Sequence, residues 1–210
     1  MHLLHRHGQN HGQSHGHGRT HTRADMYGLA RHPTWYDRQA GHLGWFLYRR
    51  VVADVVAADL PAGATVLDVG TGPGRVPRMI AEARPELSVQ GVDLSAEMVE
   101  YAAQAAAKPA TAERITFRVA DVAALPFEDG SIDLVISSLS LHHWADPAAG
   151  LRDVVRVLRP GGEAWIYDVR AVLRNPERMA AGLDADVRLE SPMAGAFWFN
   201  PIGRLVLRRR

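Results

Sequence analysis

The sequence predicts an α/β protein with a doubly wound parallel sheet, and three observations carry that expectation. From residue 64 onward, short apolar β-forming runs alternate with helical ones. Such an order favours parallel strands joined by helical crossovers. The first run, Val66-Leu67-Asp68-Val69, passes directly into Gly70-Thr71-Gly72-Pro73-Gly74 and then into the helical Arg75-Val76-Pro77-Arg78-Met79-Ile80. That is a buried strand, a tight glycine loop and a helix. Two later runs end in aspartate, Asp93 and Asp121, at the strand ends where open α/β sheets hold ligands.

The elements follow in order. Before the sheet, residues 26–60 are a helical segment. Leu43, Phe46, Leu47, Val51, Val55 and Ala58 recur at helical spacing until Pro61 and Gly63 end it. Trp35-Tyr36-Asp37 within it can pack on the sheet or serve as a lid over a ligand. Val66–Val69 is the first strand, and the helix after the glycine loop stops at Pro85. Leu87–Val92 is the second strand, and Ser95 caps a helix over 96–107. Ile115–Val119 and Ile132–Ser137 are the third and fourth. Asp146 and Pro147 open a helix running to Leu158, which Arg159-Pro160-Gly161-Gly162 ends. Ala164–Val169 is the fifth strand. Val187–Glu190 and Leu205–Arg208 are weaker candidates for two more.

Composition narrows the function classes. The chain has 210 residues, 47% of them hydrophobic, which supports one α/β domain with a sizeable core. It contains no cysteine, so disulfides, thiolate metal sites and cysteine nucleophiles are excluded. A net charge of +1 does not call for nucleic acid. No apolar run reaches the roughly 20 residues of a membrane span, and the amino terminus carries no apolar leader. A cytoplasmic protein, monomeric or homodimeric, is the expectation. Residues 1–25 stand apart: His2, His5, His7, His11, His15, His17 and His21 lie among small and polar residues without periodicity. This tail reads as disordered. It is a possible sink for Zn, Ni or Cu, or a segment without function ahead of Met26. No metal site is assigned in the domain.

The glycine spacing bears on the ligand. Dinucleotide folds use G-x-G-x-x-G, whereas this chain reads D-x-G-x-G-x-G from Asp68 to Gly74. An acidic residue two places before the first glycine suits an ammonium group better than a pyrophosphate. Asp93, with Leu94 beside it, can accept both hydroxyls of a ribose. Asp121, followed by Val122, can accept from an adenine amino group.

These segments resemble class I S-adenosylmethionine-dependent methyltransferases. The likeness lies in the glycine loop, in Ala120-Asp121-Val122-Ala123-Ala124-Leu125-Pro126-Phe127, in the run Asp133 to Trp144, and in Val157-Leu158-Arg159-Pro160-Gly161-Gly162. Over residues 40–170 the chain is similar to the small-molecule subgroup that includes ubiquinone and menaquinone biosynthesis C-methyltransferases, with a methyltransferase type 11 domain. The resemblance implies a mostly parallel seven-stranded sheet, order 3-2-1-4-5-7-6, with the last strand antiparallel. It implies an S-adenosylmethionine-binding domain over 61–210, a helical lid before it, and a small-molecule methyl acceptor rather than nucleic acid. Gly70, Thr71, Gly72 and Gly74 then hold the methionine part, Asp68 and Ser137 face its amino and sulfonium end, Asp93 and Leu94 the ribose, and Asp121 and Val122 the adenine. The short distal segment leaves the far sheet edge open.

Reactivity is less determined. A sulfonium methyl is already activated, so positioning is expected to dominate, worth about 7–11 kcal/mol when orientation is good. His142 and His143, just past the fourth strand, are candidates for a base or for shaping the loop. Trp35, Tyr36 and Trp144 can wall an acceptor pocket or belong to the core. Two alternatives remain: a non-catalytic S-adenosylmethionine-binding module, and a nicotinamide-dependent oxidoreductase. The latter lacks its glycine spacing and any Tyr-x-x-x-Lys pair, Lys108 being the sole lysine.

Overall fold

The computed structural model describes residues 33–107, 113–192 and 201–210, with side chains in the first segment from residue 44 onward. The histidine-rich tail and the side chains of Trp35 and Tyr36 lie outside the described residues. Helix α1 spans Pro33–Ala57. Then follow β1 Thr65–Val69, α2 Arg75–Ala83, β2 Ser88–Asp93, α3 Ala96–Ala106 and β3 Ile115–Val119. The second half comprises β4 Ile132–Ser138, α4 Pro147–Val157, β5 Leu158–Val169, a short α5 Pro176–Met179, β6 Ala185–Glu190 and β7 Ile202–Arg209.

One seven-stranded sheet runs β3-β2-β1-β4-β5-β7-β6. The first five strands pair in parallel, and β7 inserts antiparallel between β5 and β6. This is the expected doubly wound order. β1 is buried on both faces, which its run of apolar residues requires. Leu67 and Val69 pack with Val135, Leu151, Val154 and Ile166 under α4. Val66 packs on the other face with Val51, Val55, Ile80, Ile136 and Tyr167 under α1 and α2.

Two elements differ from expectation. α4 ends at Val157, and β5 begins at once at Leu158 rather than at Ala164. Leu158 pairs with Ile132, and the register then shifts before Leu134 meets Glu163. The intervening Pro-Gly-Gly is absorbed as an irregularity inside the strand, with Gly161 at φ 78°. The distal edge is fully formed. Leu205, Val206 and Leu207 are completely buried. Arg204 is tolerated in this inner strand because it donates 2.8 Å to Asp54 Oδ2 and 3.1 Å to the Tyr167 hydroxyl, and pairs with Glu190. Asp54 also accepts from Tyr167 at 2.7 Å, so α1 is tied to both β5 and β7.

Candidate active site

The glycine loop leaves β1 with its backbone anchored on β2. The amides of Gly70 and Thr71 both donate to the Val92 carbonyl, at 2.9 and 3.0 Å. Gly70, Gly72 and Gly74 all have positive φ, 70°, 52° and 70°, a region that costs a residue with a Cβ about 1–2 kcal/mol. Their lost side chains do not simply open space for a ligand. A Cβ on Gly70 would lie 1.8 Å from Ser140 Oγ, and one on Gly74 would lie 2.8 Å from both Ala102 Cβ and the Phe117 ring. At these two positions the missing Cβ lets other parts of the protein close on the loop.

Two carboxylates bond to it, and a third, Asp121, opens the turn after β3. Asp68 is 2% exposed. Its Oδ2 accepts from the Thr71 hydroxyl at 2.8 Å, while its Oδ1 has no protein partner. Burial, with a smaller contribution from nearby Asp93, pushes its carboxyl up to about 7. Asp93 ends β2. Its Oδ2 accepts from the Gly72 amide at 2.8 Å and its Oδ1 from the Ser95 amide at 2.9 Å. Burial also holds this carboxyl above its usual value, against those amide bonds. Asp121, exposed after β3, accepts from the Ala123 amide at 2.9 Å and starts a 3-10 turn over Val122–Ala124. Leu94 is largely exposed beside Asp93, and Val122 is buried beneath the turn.

The loop after β4 completes the group. Leu139 has a left-handed backbone, φ 53°, rare without glycine, and its amide donates 2.8 Å to the Tyr167 carbonyl of β5. A 3-10 turn over Leu141–His143 follows. His142 Nδ1 lies 2.9 Å and 3.0 Å from the two carboxylate oxygens of Asp168, the residue before the end of β5. Asp168 is completely buried. It also accepts from the His142 amide at 3.2 Å and the Val169 amide at 2.7 Å. With backbone donors on both oxygens, the carboxylate acts as acceptor and Nδ1 as donor. In the neutral imidazole with that tautomer, Nε2 carries the lone pair, on a side chain one-third exposed. The His143 ring lies 4.0 Å from that of His142. Burial first, and His142 second, hold its imidazole below the usual value, although Asp168 and Asp93 pull the other way.

Of the expected residues, Asp68 and Asp93 bond to the glycine loop and His142 and His143 lie ring to ring; the side chains of Trp35 and Tyr36 lie outside the described residues, Trp144 is an exception, and two residues are added. Trp144 is 7% exposed and belongs to the core, not to an open pocket wall. Its indole N–H donates 3.0 Å to Ser140 Oγ, and its ring closes on Gly150, where a Cβ would come within 2.7 Å. Asp168 and Ser140 are the additions. Asp168 stands at a strand end as Asp93 does, so the same rule applies to it. Ser140 is given away by no local signal.

These residues fit S-adenosylmethionine. Asp68 presents a buried oxygen without a protein partner, where an ammonium can be received. Ser137, at the end of β4, has a buried hydroxyl in the same condition. Asp93 keeps lone pairs for ribose hydroxyls beyond its two amide bonds. Leu94 and the Asp121 turn would supply an apolar face and an acceptor for adenine.

Comparison with known proteins agrees. Residues 67–166 match the family model of a methyltransferase domain. The chain is 34% identical over 163 residues to 27-O-demethylrifamycin SV methyltransferase of Amycolatopsis mediterranei, covering 77% of this chain and 57% of that one. It is 38% identical over 104 residues to a ubiquinone/menaquinone biosynthesis C-methyltransferase of Geotalea daltonii, covering 49% and 44%. The chain thus spans about half the length of these curated relatives. In fold it is similar to a putative S-adenosylmethionine-dependent methyltransferase of Methanococcus maripaludis, TM-score 0.69 at 19% identity, covering 86% of this chain and 93% of that one. Residues 67–166 thus match a methyltransferase domain, and the chain is similar to S-adenosylmethionine-dependent methyltransferases in sequence and in fold. S-adenosylmethionine is accordingly its cofactor class, and the nicotinamide alternative is set aside. No helix among the described residues is long and apolar enough to cross a membrane.

Proposed function

We propose that this chain transfers the methyl group to a small-molecule acceptor through a hydroxyl or other proton-bearing nucleophile, with His142 as the proton acceptor. The observation that carries the proposal is the Asp168–His142 pair, 2.9 Å apart at the carboxyl ends of β4 and β5. It lies on the same rim of the sheet as Asp93 and the glycine loop. When bound, S-adenosylmethionine supplies a methyl group already activated on a sulfonium.

The chain's residues do the rest. Gly72 and Asp93 hold the ribose end and Asp68 the ammonium. Asp168 fixes the imidazole of His142 in one tautomer and orientation, and stabilises the imidazolium formed when Nε2 takes the acceptor's proton. Such a base contributes roughly 10²–10⁴-fold. A mechanism by positioning alone would not require a buried carboxylate behind the ring. Of the two relatives, one is named for a 27-O-demethylated acceptor and one as a C-methyltransferase. The dyad favours the oxygen chemistry. The amino-terminal part of α1 is the element we assign as a lid over the acceptor.

The test is a turnover screen for S-adenosylhomocysteine with hydroxylated aromatic and macrocyclic acceptors, followed by kcat against pH. His142→Gln and Asp168→Asn should each lose at least about 100-fold in kcat while still binding S-adenosylhomocysteine. Variants that turn over like the wild type would refute the base assignment. A wild type that binds cofactor but methylates nothing would favour a non-catalytic binding module.

A further inference from the structure

Trp144 has no part in the chemistry above, yet it touches three pieces of the site. Its indole N–H donates to Ser140 Oγ inside the core. Ser140 in turn lies against Gly70, occupying the space a Cβ there would need. The Ser140 carbonyl accepts from the His143 amide at 2.8 Å, and the Trp144 amide donates to the Leu141 carbonyl at 3.1 Å. Ser140 and Trp144 therefore bracket the turn that carries His142. On the other side of the indole, Gly150 of α4 has both the Trp144 ring and the Val122 side chain within 3.0 Å of its Cβ position. Val122 belongs to the turn that Asp121 opens.

We infer that Trp144 is a positioning residue, locking the His142 turn to the Gly70 loop through Ser140 and to the Asp121 turn through Gly150. The cofactor-binding loop and the proton-accepting histidine then sit in one register. The inference rests on the proposed methyl-transfer reading of this site. Its logic is steric as well as polar. Gly70 has no Cβ, so Ser140 can sit on the loop. Gly150 has none either, so the six-membered ring of the indole can close on α4. Between these contacts a single buried hydrogen bond decides the orientation of Ser140. Phenylalanine at 144 would preserve the packing and remove the donor, and alanine at 140 would keep the donor and remove the acceptor.

The experiment measures S-adenosylhomocysteine affinity by calorimetry for the wild type, Trp144→Phe, Ser140→Ala and the double variant. Each single change should weaken binding about two- to tenfold, the range for one neutral hydrogen bond. The double variant should be no worse than the weaker single one, because both remove the same bond. Independent, multiplying losses, or wild-type affinity in both folded single variants, would overturn the inference. A second measurement needs no variant. In the wild-type protein the indole N–H resonance of Trp144 should shift when S-adenosylhomocysteine is added, and a resonance indifferent to ligand while glycine-loop amides move would also overturn it. Failure of the underlying reading looks different, since the wild type itself would then not bind S-adenosylhomocysteine.

Discussion

Replacing Asp68 by asparagine should change how stability depends on pH, in a direction set by its burial. The carboxyl is 2% exposed with one oxygen unpartnered, and it is pushed up to about 7 from 3.8. The folded chain therefore keeps a proton that the unfolded chain has released, and stability falls as pH rises from about 4 through about 7. At about 1.4 kcal/mol per pKa unit, the full difference is on the order of 4 kcal/mol. Roughly 2 kcal/mol of that falls between pH 5.5 and pH 8.5. Asp68→Asn carries no such proton, so its stability relative to wild type should rise by about 2 kcal/mol over that interval. Other titrating groups are common to both proteins and cancel in the comparison. Urea unfolding of the two proteins at both pH values measures it. Ligand affinity should respond in the opposite sense if, as proposed, an ionised Asp68 receives the ammonium. Wild-type affinity for S-adenosylhomocysteine should rise with pH through 7, and the asparagine variant should bind more weakly with a flatter profile. Parallel stability curves for the two proteins would show that Asp68 is already ionised in the folded chain, and would refute this account of it.

Two further outcomes follow from the same geometry. Asp93→Ala should weaken S-adenosylhomocysteine binding at least about tenfold, since hydrogen bonds to a charged acceptor contribute roughly 1.5–3 kcal/mol each; an unchanged dissociation constant in a folded variant would remove Asp93 from the site. Gly70→Ala should destabilise by about 2–5 kcal/mol, combining left-handed strain with the clash on Ser140. Gly63→Ala, at φ 82° with open space around it, should cost only the strain of about 1–2 kcal/mol, and equal losses at both positions in thermal melts would contradict the packing role of Gly70.

The parts of the fold that sequence makes legible are those whose causes are local. β1, its glycine loop and α2 follow from one continuous stretch, residues 65–83, and from sterics. The cap at Asp146 is equally local: its carboxylate accepts from the Ala149 amide at 2.9 Å, three residues away. The start of β5 is not local. Arg159-Pro160-Gly161-Gly162 has the composition of a turn, and only pairing of Leu158 with Ile132 draws it into the sheet. β7 is similar. Its arginines argue against an inner strand until Asp54, from α1 far away in sequence, and Glu190, from the neighbouring β6, pair with Arg204. Trp144 is ambiguous for the same reason, because an aromatic beside two histidines can face a ligand or the core. The choice depends on Gly150, which leaves room for the ring on α4.

The two halves of the site divide along this line. The cofactor half is built mostly from backbone and from side chains bonded within their own loops: Asp68 to Thr71, Asp93 to Ser95, Asp121 to Ala123. Such a half is readable as a string. The acceptor half is made by strand register. β4 and β5 pair in parallel, with Ser138 opposite Tyr167, and the next step along each strand brings Asp168 level with the chain leaving β4. Leu139 then turns through a left-handed conformation, and His142 comes back onto that carboxylate. A histidine at this place without Asp168 would be free to adopt either tautomer. With it, Nδ1 faces a carboxylate acceptor, and in the neutral ring the tautomer this favours leaves Nε2 as the acceptor. On the proposed reading, the proton chemistry of this site is thus a property of the β4–β5 pairing, which is why the dyad, rather than either histidine alone, is the unit that mutation should address.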